Sequence, residues 1–266
     1  MNQSASTLNH VTSKDGTRIA FDRVGDGPAV ILVSGGSTDR QSTAPFAGIL
    51  ASDLTVFNLE RRGRGDSGDT PPYAIEREIE DIAAVAKAAG GNAGLVGFSS
   101  GGALALFAAG ELPGAISKVA AYEPPFVADP NARPPADTVE QYERFIAEGR
   151  PDLAVEYFMA KVVRLPAEFV EFAKTQPFWA GQEKIAHTLA YDGRIMGDYS
   201  IPIERAAKIT TPALVIAGGA DFPFMRDTAQ RLADALPNGR VRFLDGQGHN
   251  VDPAVLAPVL KEFFTG

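Results

Sequence analysis

Short apolar runs recur along the chain and predict the strands of a β-sheet. In several of them consecutive residues are apolar, as in Ala-Val-Ile-Leu-Val and Ala-Leu-Val-Ile-Ala. Strands buried on both faces have this composition, which is typical of a parallel sheet covered by helices. The Asp15-Gly16 pair predicts an antiparallel hairpin at the sheet edge. The predicted strands are 17–24, 28–34, 54–59, 93–98, 116–122, 212–218 and 240–245.

Between the strands, apolar residues repeat at the spacing of amphipathic helices. One such series begins at Ile75 and continues through Ile79 and Ile82. Further helices are predicted at 100–109, 226–236 and 253–264, the last one opened by Asp252 as its cap. The first helix also carries an acidic cluster, which we interpret as a solvated face rather than a metal site. Its members are Glu76, Glu78, Glu80 and Asp81.

Alternating strands and helices predict an α/β fold with a doubly wound, mostly parallel sheet. The alternation is interrupted between residues 124 and 208, where proline clusters and aromatic-rich amphipathic pieces replace strands. A structureless loop of that length is implausible in a folded domain. We therefore expect a core formed by residues 1–123 and 209–266, with 124–208 inserted as a helical cap.

Composition narrows the possible partners and chemistry. The chain has 266 residues, a net charge of −8 and no cysteine, so a polyanionic partner is disfavoured and thiolate chemistry is impossible. Neither a leader peptide nor an apolar run of roughly 20 residues is apparent, so we expect a cytoplasmic protein that binds a small molecule and neither nucleic acid nor membrane. A homo-oligomer remains possible. The G-x-G-x-x-G match at 63–68 is followed by prolines instead of a helix, so we expect no dinucleotide cofactor. We expect no bound metal, because the chain offers no thiolate ligands and its acidic cluster has no histidine nearby.

The strongest chemical signal is the sequence Gly97-Phe98-Ser99-Ser100-Gly101. This G-x-S-x-G pattern follows an apolar strand and opens a predicted helix, which is the context of a nucleophile elbow. Small flanking residues allow a tight turn that presents the hydroxyl of Ser99 above the sheet. The pattern predicts that Ser99 is a nucleophile.

A serine nucleophile needs a base, and the chain contains three histidines. His10 is expected in a frayed N-terminal segment and His187 in the inserted region, whereas His249 follows the last strand at the carboxyl edge that also presents Ser99. Two carboxylates could orient His249. Asp221 preserves the order serine, acid, histidine and is preferred, while Glu123 ends another strand at the same edge and stays an alternative.

Donors for a developing oxyanion are expected at two backbone amides. Ser100 begins the helix after the nucleophile, and Gly36 lies in the glycine loop after the strand that ends at Ser34. Four side chains are expected to line a substrate pocket: Ser34, Phe98, Phe126 and Trp179. For Trp179, packing within the cap is the competing interpretation.

Taken together, these motifs resemble the α/β-hydrolase superfamily over nearly the whole chain. The resemblance includes the Arg62-Gly63-Arg64-Gly65-Asp66-Ser67 turn, the serine elbow, the Asp221 segment and Gly248-His249. It implies an eight-stranded core, a helical cap and a cofactor-free serine mechanism. Ser34 departs from the family pattern, in which many members carry histidine. Glu123 occupies the position where members such as haloalkane dehalogenases keep their acid, but those enzymes use an aspartate nucleophile.

The sequence thus predicts a serine hydrolase for a carboxylic ester, lactone or similar acyl bond of a small apolar molecule. Two alternatives stay open. The same residues could cleave a carbon–carbon bond or support a lyase or cyclase step, or the fold could serve a ligand sensor with slow turnover.

Overall fold

Eight strands form one sheet within residues 7–266, the part of the chain that the computed structural model describes. Their order across the sheet is β1-β2-β4-β3-β5-β6-β7-β8. The pairs β1–β2 and β2–β4 are antiparallel, and all other neighbours run parallel. The bounds are β1 Thr7–Thr12, β2 Arg18–Val24, β3 Ala29–Val33, β4 Thr55–Leu59, β5 Ala93–Phe98, β6 Ile116–Tyr122, β7 Ala213–Ala217 and β8 Gly239–Phe243.

Helices cover both faces of the sheet, and the central strand β3 shows why its residues are apolar in succession. Ile31 and Val33 belong to the apolar core on one face, while Val30 and Leu32 belong to the core on the other. Successive side chains of a strand point to opposite faces, so a strand between two helical layers needs apolar residues at every position.

Eleven α-helices accompany these strands in the described residues. α2 and α3 pack in the first core, and α1 and α11 in the second. Asp252 caps α11 by accepting a hydrogen bond from the Ala254 amide at 2.8 Å. The bounds are α1 Ala44–Leu50, α2 Ile75–Ala88, α3 Ser100–Glu111, α4 Thr138–Ala147, α5 Pro151–Tyr157, α6 Ala167–Lys174, α7 Trp179–Lys184, α8 Leu189–Met196, α9 Ile203–Ala206, α10 Phe224–Ala235 and α11 Pro253–Thr265.

The inserted segment 124–208 contains α4 to α9 and, among the described residues, no strand. Its helices enclose an apolar cluster of their own, which includes Tyr142, Val155, Trp179 and Leu189. Within residues 7–266, no helix combines the length and the apolar composition needed to cross a membrane.

Two local expectations differ from the structure. His10, expected in a frayed segment, lies in β1 and pairs with Ala20 of β2, because the Asp15-Gly16 turn closes the predicted hairpin. The acidic cluster of α2 is not a uniformly solvated face. Glu78 and Asp81 are only 3% and 2% exposed. Their charges are neutralised by two buried arginines that follow β4: Arg61 contacts Glu78, and Arg62 contacts Asp81.

Candidate active site

Ser99 lies at a sharp turn between β5 and α3. Its backbone adopts φ 54° and ψ −127°, a conformation that L residues rarely occupy. The turn is tight because a Cβ on Gly97 would lie 2.1 Å from the Gly101 oxygen, and one on Gly101 would lie 2.3 Å from the Ser34 oxygen. These glycines let strand and helix approach closely enough to hold Ser99 at the tip of the turn.

His249 lies in the loop after β8, and its ring contacts the carboxylate of Glu123. The distance between His249 Nδ1 and Glu123 Oε2 is 2.8 Å. The His249 ring also packs edge-on against Phe222, with ring centroids 5.9 Å apart. A carboxylate at Nδ1 fixes the tautomer in which Nε2 is free to accept a proton.

Glu123 is a buried carboxylate whose orientation is fixed by the neighbouring strand end. It follows β6 directly, has φ 44° and is 1% exposed. Its Oε1 accepts hydrogen bonds from the amides of Gly218 and Gly219, both at 2.9 Å. Since Oε1 is occupied by two donors after β7, Oε2 is left to face His249.

Asp221 holds the backbone of the histidine loop rather than the ring. Its Oδ2 accepts a hydrogen bond from the His249 amide at 3.0 Å, and its side chain is exposed. The structure therefore brings Glu123, the alternative of the sequence analysis, against the imidazole and leaves the preferred Asp221 beside it. Both carboxylates leave the same sheet edge, so chain order did not distinguish them.

Ser99 and His249 line the same cavity, which has a volume of about 870 Å³. Sheet loops form its floor, and the inserted segment contributes much of its wall. The wall is largely apolar and includes Phe158, Met159, Val162, Leu165, Met196 and Tyr199.

Of the four side chains expected in the pocket, the cavity lining includes Phe98 but not the other three. Ser34 is fully buried under the elbow, where its carbonyl lies 3.4 Å from Arg61 Nη1. Phe126 packs in the core against Phe107, because the chain turns inward after the two prolines. Trp179 is buried in the inserted segment and donates to Glu183 Oε1 at 2.7 Å.

Gly36 and Ser100, the expected oxyanion donors, both line the cavity. Ser100 is the first residue of α3, so its amide has no acceptor within the helix. The glycine loop lies directly against the elbow, since a Cβ on Gly35 would be 3.0 Å from Ser99 Cβ. The glycine loop and the first residue of α3 are thus both next to Ser99 at the cavity.

A buried charged cluster below this loop was missed by the sequence analysis. Asp192, from α8, contacts Arg61 Nη1 and Arg64 Nη2, each at 2.7 Å. It also accepts a hydrogen bond from Ser100 Oγ at 2.7 Å. The signal available in the sequence was the Arg61-Arg62-Gly63-Arg64 segment, which directly follows a buried strand. Because buried charges need paired partners, three arginines at this position predict carboxylates nearby.

Asp192 is held in its ionised form. Burial by itself would raise the pKa of Asp192, but the charges of Arg61 and Arg64 and the Ser100 hydrogen bond lower it below the usual value. Residues 7–266 contain no group of three or more His, Cys, Asp or Glu side chains placed to hold a metal ion.

Comparison with known proteins gives a consistent result. Residues 30–259 match the sequence model described as "Alpha/beta hydrolase family". An alpha/beta hydrolase from Sphaerobacter thermophilus is 50% identical, with a TM-score of 0.90 over 96% of this chain and 100% of that one. Two further structures share the fold. A thermophilic esterase from Thermogutta terrifontis is 21% identical, with a TM-score of 0.76 over 97% of this chain and 98% of that one. The enol-lactonase from Burkholderia xenovorans is 20% identical, with a TM-score of 0.72 over 97% of this chain and 100% of that one.

Proposed function

The chain belongs to the alpha/beta hydrolase family, and on that basis we propose that it is a serine hydrolase for an ester or lactone bond of a small, mainly apolar molecule. The observation that carries this proposal is the 2.8 Å contact of Glu123 with His249, a residue that lines the same cavity as Ser99. This arrangement supplies a nucleophile, a base and a group that orients the base.

In the proposed mechanism, Ser99 Oγ attacks the substrate carbonyl while His249 Nε2 accepts the hydroxyl proton. The carbonyl oxygen becomes an oxyanion, which the amides of Gly36 and Ser100 stabilise. His249 then returns the proton to the leaving alcohol as the acyl–oxygen bond breaks. Water, deprotonated by the same imidazole, then attacks the acyl-enzyme. As the bond between the acyl carbon and Ser99 Oγ breaks, His249 returns the proton to Ser99 and the carboxylic acid is released. Glu123 stabilises the imidazolium throughout, and no cofactor is required.

The wall of the cavity supports the proposed substrate class. Apolar side chains from segment 124–208 face the space next to Ser99, and we propose that this segment is a cap that selects the acyl or alcohol part by shape. The esterase and the lactonase that share the fold act on bonds of the proposed kind.

The proposal is tested with a panel of nitrophenyl esters and lactones on the wild type and on Ser99→Ala. We expect steady multiple turnover and labelling by a fluorophosphonate in the wild type, and loss of both in Ser99→Ala. Ser52→Ala, which changes an exposed serine, is the matched control and is expected to retain both. Turnover that survives Ser99→Ala would refute the mechanism, and a wild type that binds esters without turnover would favour a ligand sensor.

A further inference from the structure

Asp192 is a buried carboxylate of the cap segment that contacts the floor of the proposed active site. It projects from α8, whereas the groups around it follow β4 and begin α3. From these contacts we propose that Asp192 is a positioning residue that holds both oxyanion donors in place and thereby makes catalysis depend on the seating of the cap. This inference rests on the proposed function.

The first donor is held through a side chain. Ser100 Oγ donates to Asp192 Oδ1 at 2.7 Å, and Ser100 is 4% exposed. A hydroxyl bonded to a buried carboxylate has a fixed rotamer, and charge-assisted hydrogen bonds are the stronger kind. The rotation of the first turn of α3 is thereby fixed, and with it the direction of the Ser100 amide.

The second donor is held through Arg64. This arginine, 1% exposed, donates from Nη1 to the carbonyl oxygens of Gly35 and Thr38, at 2.5 and 2.8 Å. These carbonyls flank Gly36 in the glycine loop. The other terminal nitrogen of Arg64 donates to Asp192 Oδ2 at 2.7 Å, so the carboxylate orients the guanidinium that orients the loop.

The carboxylate also lies against the loop itself. A Cβ on Gly36 would be 3.2 Å from Asp192 Oδ2, which leaves little space for a larger residue there. A negative charge at this position would oppose an oxyanion if it were unpaired. Arg61 and Arg64 both contact Asp192, so the cluster fixes the donors without leaving a free anion beside them.

This cluster differs from an ordinary structural ion pair in what it connects. Asp192 connects directly to Ser100 and, through Arg64, to the carbonyls of Gly35 and Thr38, so it contacts the two segments that carry the proposed oxyanion donors. Because Asp192 belongs to the cap segment and its partners belong to the sheet domain, the oxyanion donors are correctly placed only when α8 is docked.

The experiment compares Asp192→Asn and Ser100→Ala with the wild type, using a nitrophenyl ester and an alkyl boronic acid. Ser100→Ala keeps the backbone amide and removes only the hydroxyl. The boronic acid forms a tetrahedral adduct with Ser99, so its affinity reports on the oxyanion donors.

We expect kcat to fall about 100-fold in Asp192→Asn and about 10-fold in Ser100→Ala, since small misplacements of catalytic groups have effects of this size. KM should stay within about two-fold, and boronate affinity should fall in parallel with kcat/KM.

Tyr191→Phe is the matched control. Tyr191 precedes Asp192 in α8 and also joins the cap segment to the sheet domain, by donating to Asp69 Oδ2 at 2.7 Å. It does not contact the oxyanion loop, so this variant should lower thermal stability and leave kcat within about two-fold. The double variant Asp192→Asn/Ser100→Ala should be no slower than Asp192→Asn alone, because both single changes act on the hydrogen bond between Ser100 and Asp192.

Folded Asp192→Asn and Ser100→Ala proteins with wild-type kcat would overturn the inference, as would a fall in kcat with unchanged boronate affinity. If Asp192→Asn does not fold, Ser100→Ala decides the question. A wild type that is inactive on the whole panel would instead remove the proposed function, so the two failures are distinguishable.

Discussion

Glu123 and His249 are 126 positions apart in the chain, yet Oε2 of one lies 2.8 Å from Nδ1 of the other. The other carboxylate oxygen is held by the Gly218 and Gly219 amides at 2.9 Å. The ring is thus oriented by a carboxylate that cannot rotate away. Asp221, the acid that the sequence analysis preferred, accepts a hydrogen bond from the His249 amide instead of contacting the ring.

Glu123→Gln is therefore expected to lower kcat about 10³- to 10⁴-fold, in the range seen when an orienting carboxylate becomes an amide. The amide oxygen would keep the Gly218 and Gly219 contacts, so its NH₂ would face Nδ1 and favour the tautomer protonated at Nε2. Asp221→Asn should lose less than about tenfold, because its amide oxygen can still accept from the His249 backbone. Steady-state kinetics of both variants checks this, and the opposite ranking would assign the role to Asp221.

The apolar cavity predicts a dependence on acyl-chain length. Each buried methylene is worth about 0.8 kcal/mol, so kcat/KM should rise up to about four-fold per added carbon until the space is filled. A series of nitrophenyl esters from acetate to decanoate measures this, with the dicarboxylic half-esters as the charged control. A preference for the charged series would contradict an apolar site.

Trp179 should stabilise the cap segment without selecting substrate. Trp179→Phe removes the hydrogen bond to Glu183, and we expect the free energy of unfolding to fall by about 1 kcal/mol. KM across the ester series should not change. Phe98→Leu is the comparison, because Phe98 lines the cavity and its replacement should alter KM. A changed dependence of KM on acyl-chain length in Trp179→Phe would show that Trp179 does contact the substrate.

The glycines of the elbow should tolerate no side chain. In Gly97→Ala the new methyl would lie 2.1 Å from the Gly101 oxygen, so we expect a loss of about 1–3 kcal/mol or more in unfolding free energy. Gly48→Ala is the matched substitution in α1, where a Cβ meets nothing within 4 Å. That change should stabilise the protein by about 0.5–1 kcal/mol. Urea denaturation of both proteins tests the contrast.

The lowered pKa of Asp192 predicts how its stabilising effect depends on pH. Burial opposes ionisation, but Arg61 and Arg64 outweigh it, so the folded state binds the Asp192 proton less tightly than the unfolded chain. Its contribution is fully present above the unfolded pKa of about 3.9 and is lost as pH falls toward the folded value. The unfolding free-energy difference between wild type and Asp192→Asn should be constant from pH 7 to 5 and shrink below pH 4. A free-energy difference that grows as the pH falls would instead mean that folding raises the pKa of Asp192.

The sequence by itself determined the features that depend on neighbouring residues. The predicted strands at 93–98 and 116–122 match β5 and β6 to the residue, because runs of apolar residues leave no other place for a buried strand. The Ser99 elbow was equally visible, since the requirement for small residues at 97 and 101 is local. The predicted hairpin turn at Asp15-Gly16 was seen, but its first strand, β1, was not, because that half-exposed edge strand carries little apolar signal.

The tertiary structure alone decided which distant charges meet. Glu123 and Asp221 both leave the carboxyl edge of the sheet, and only the packing of the loops after β7 and β8 places one of them at the His249 ring. Likewise, Glu78 has the pattern of an exposed helix residue, but Arg61 reaches it and makes its burial favourable. Electrostatic partners are chosen by distance in space and by shared exclusion of water, and neither quantity is a property of position along the chain.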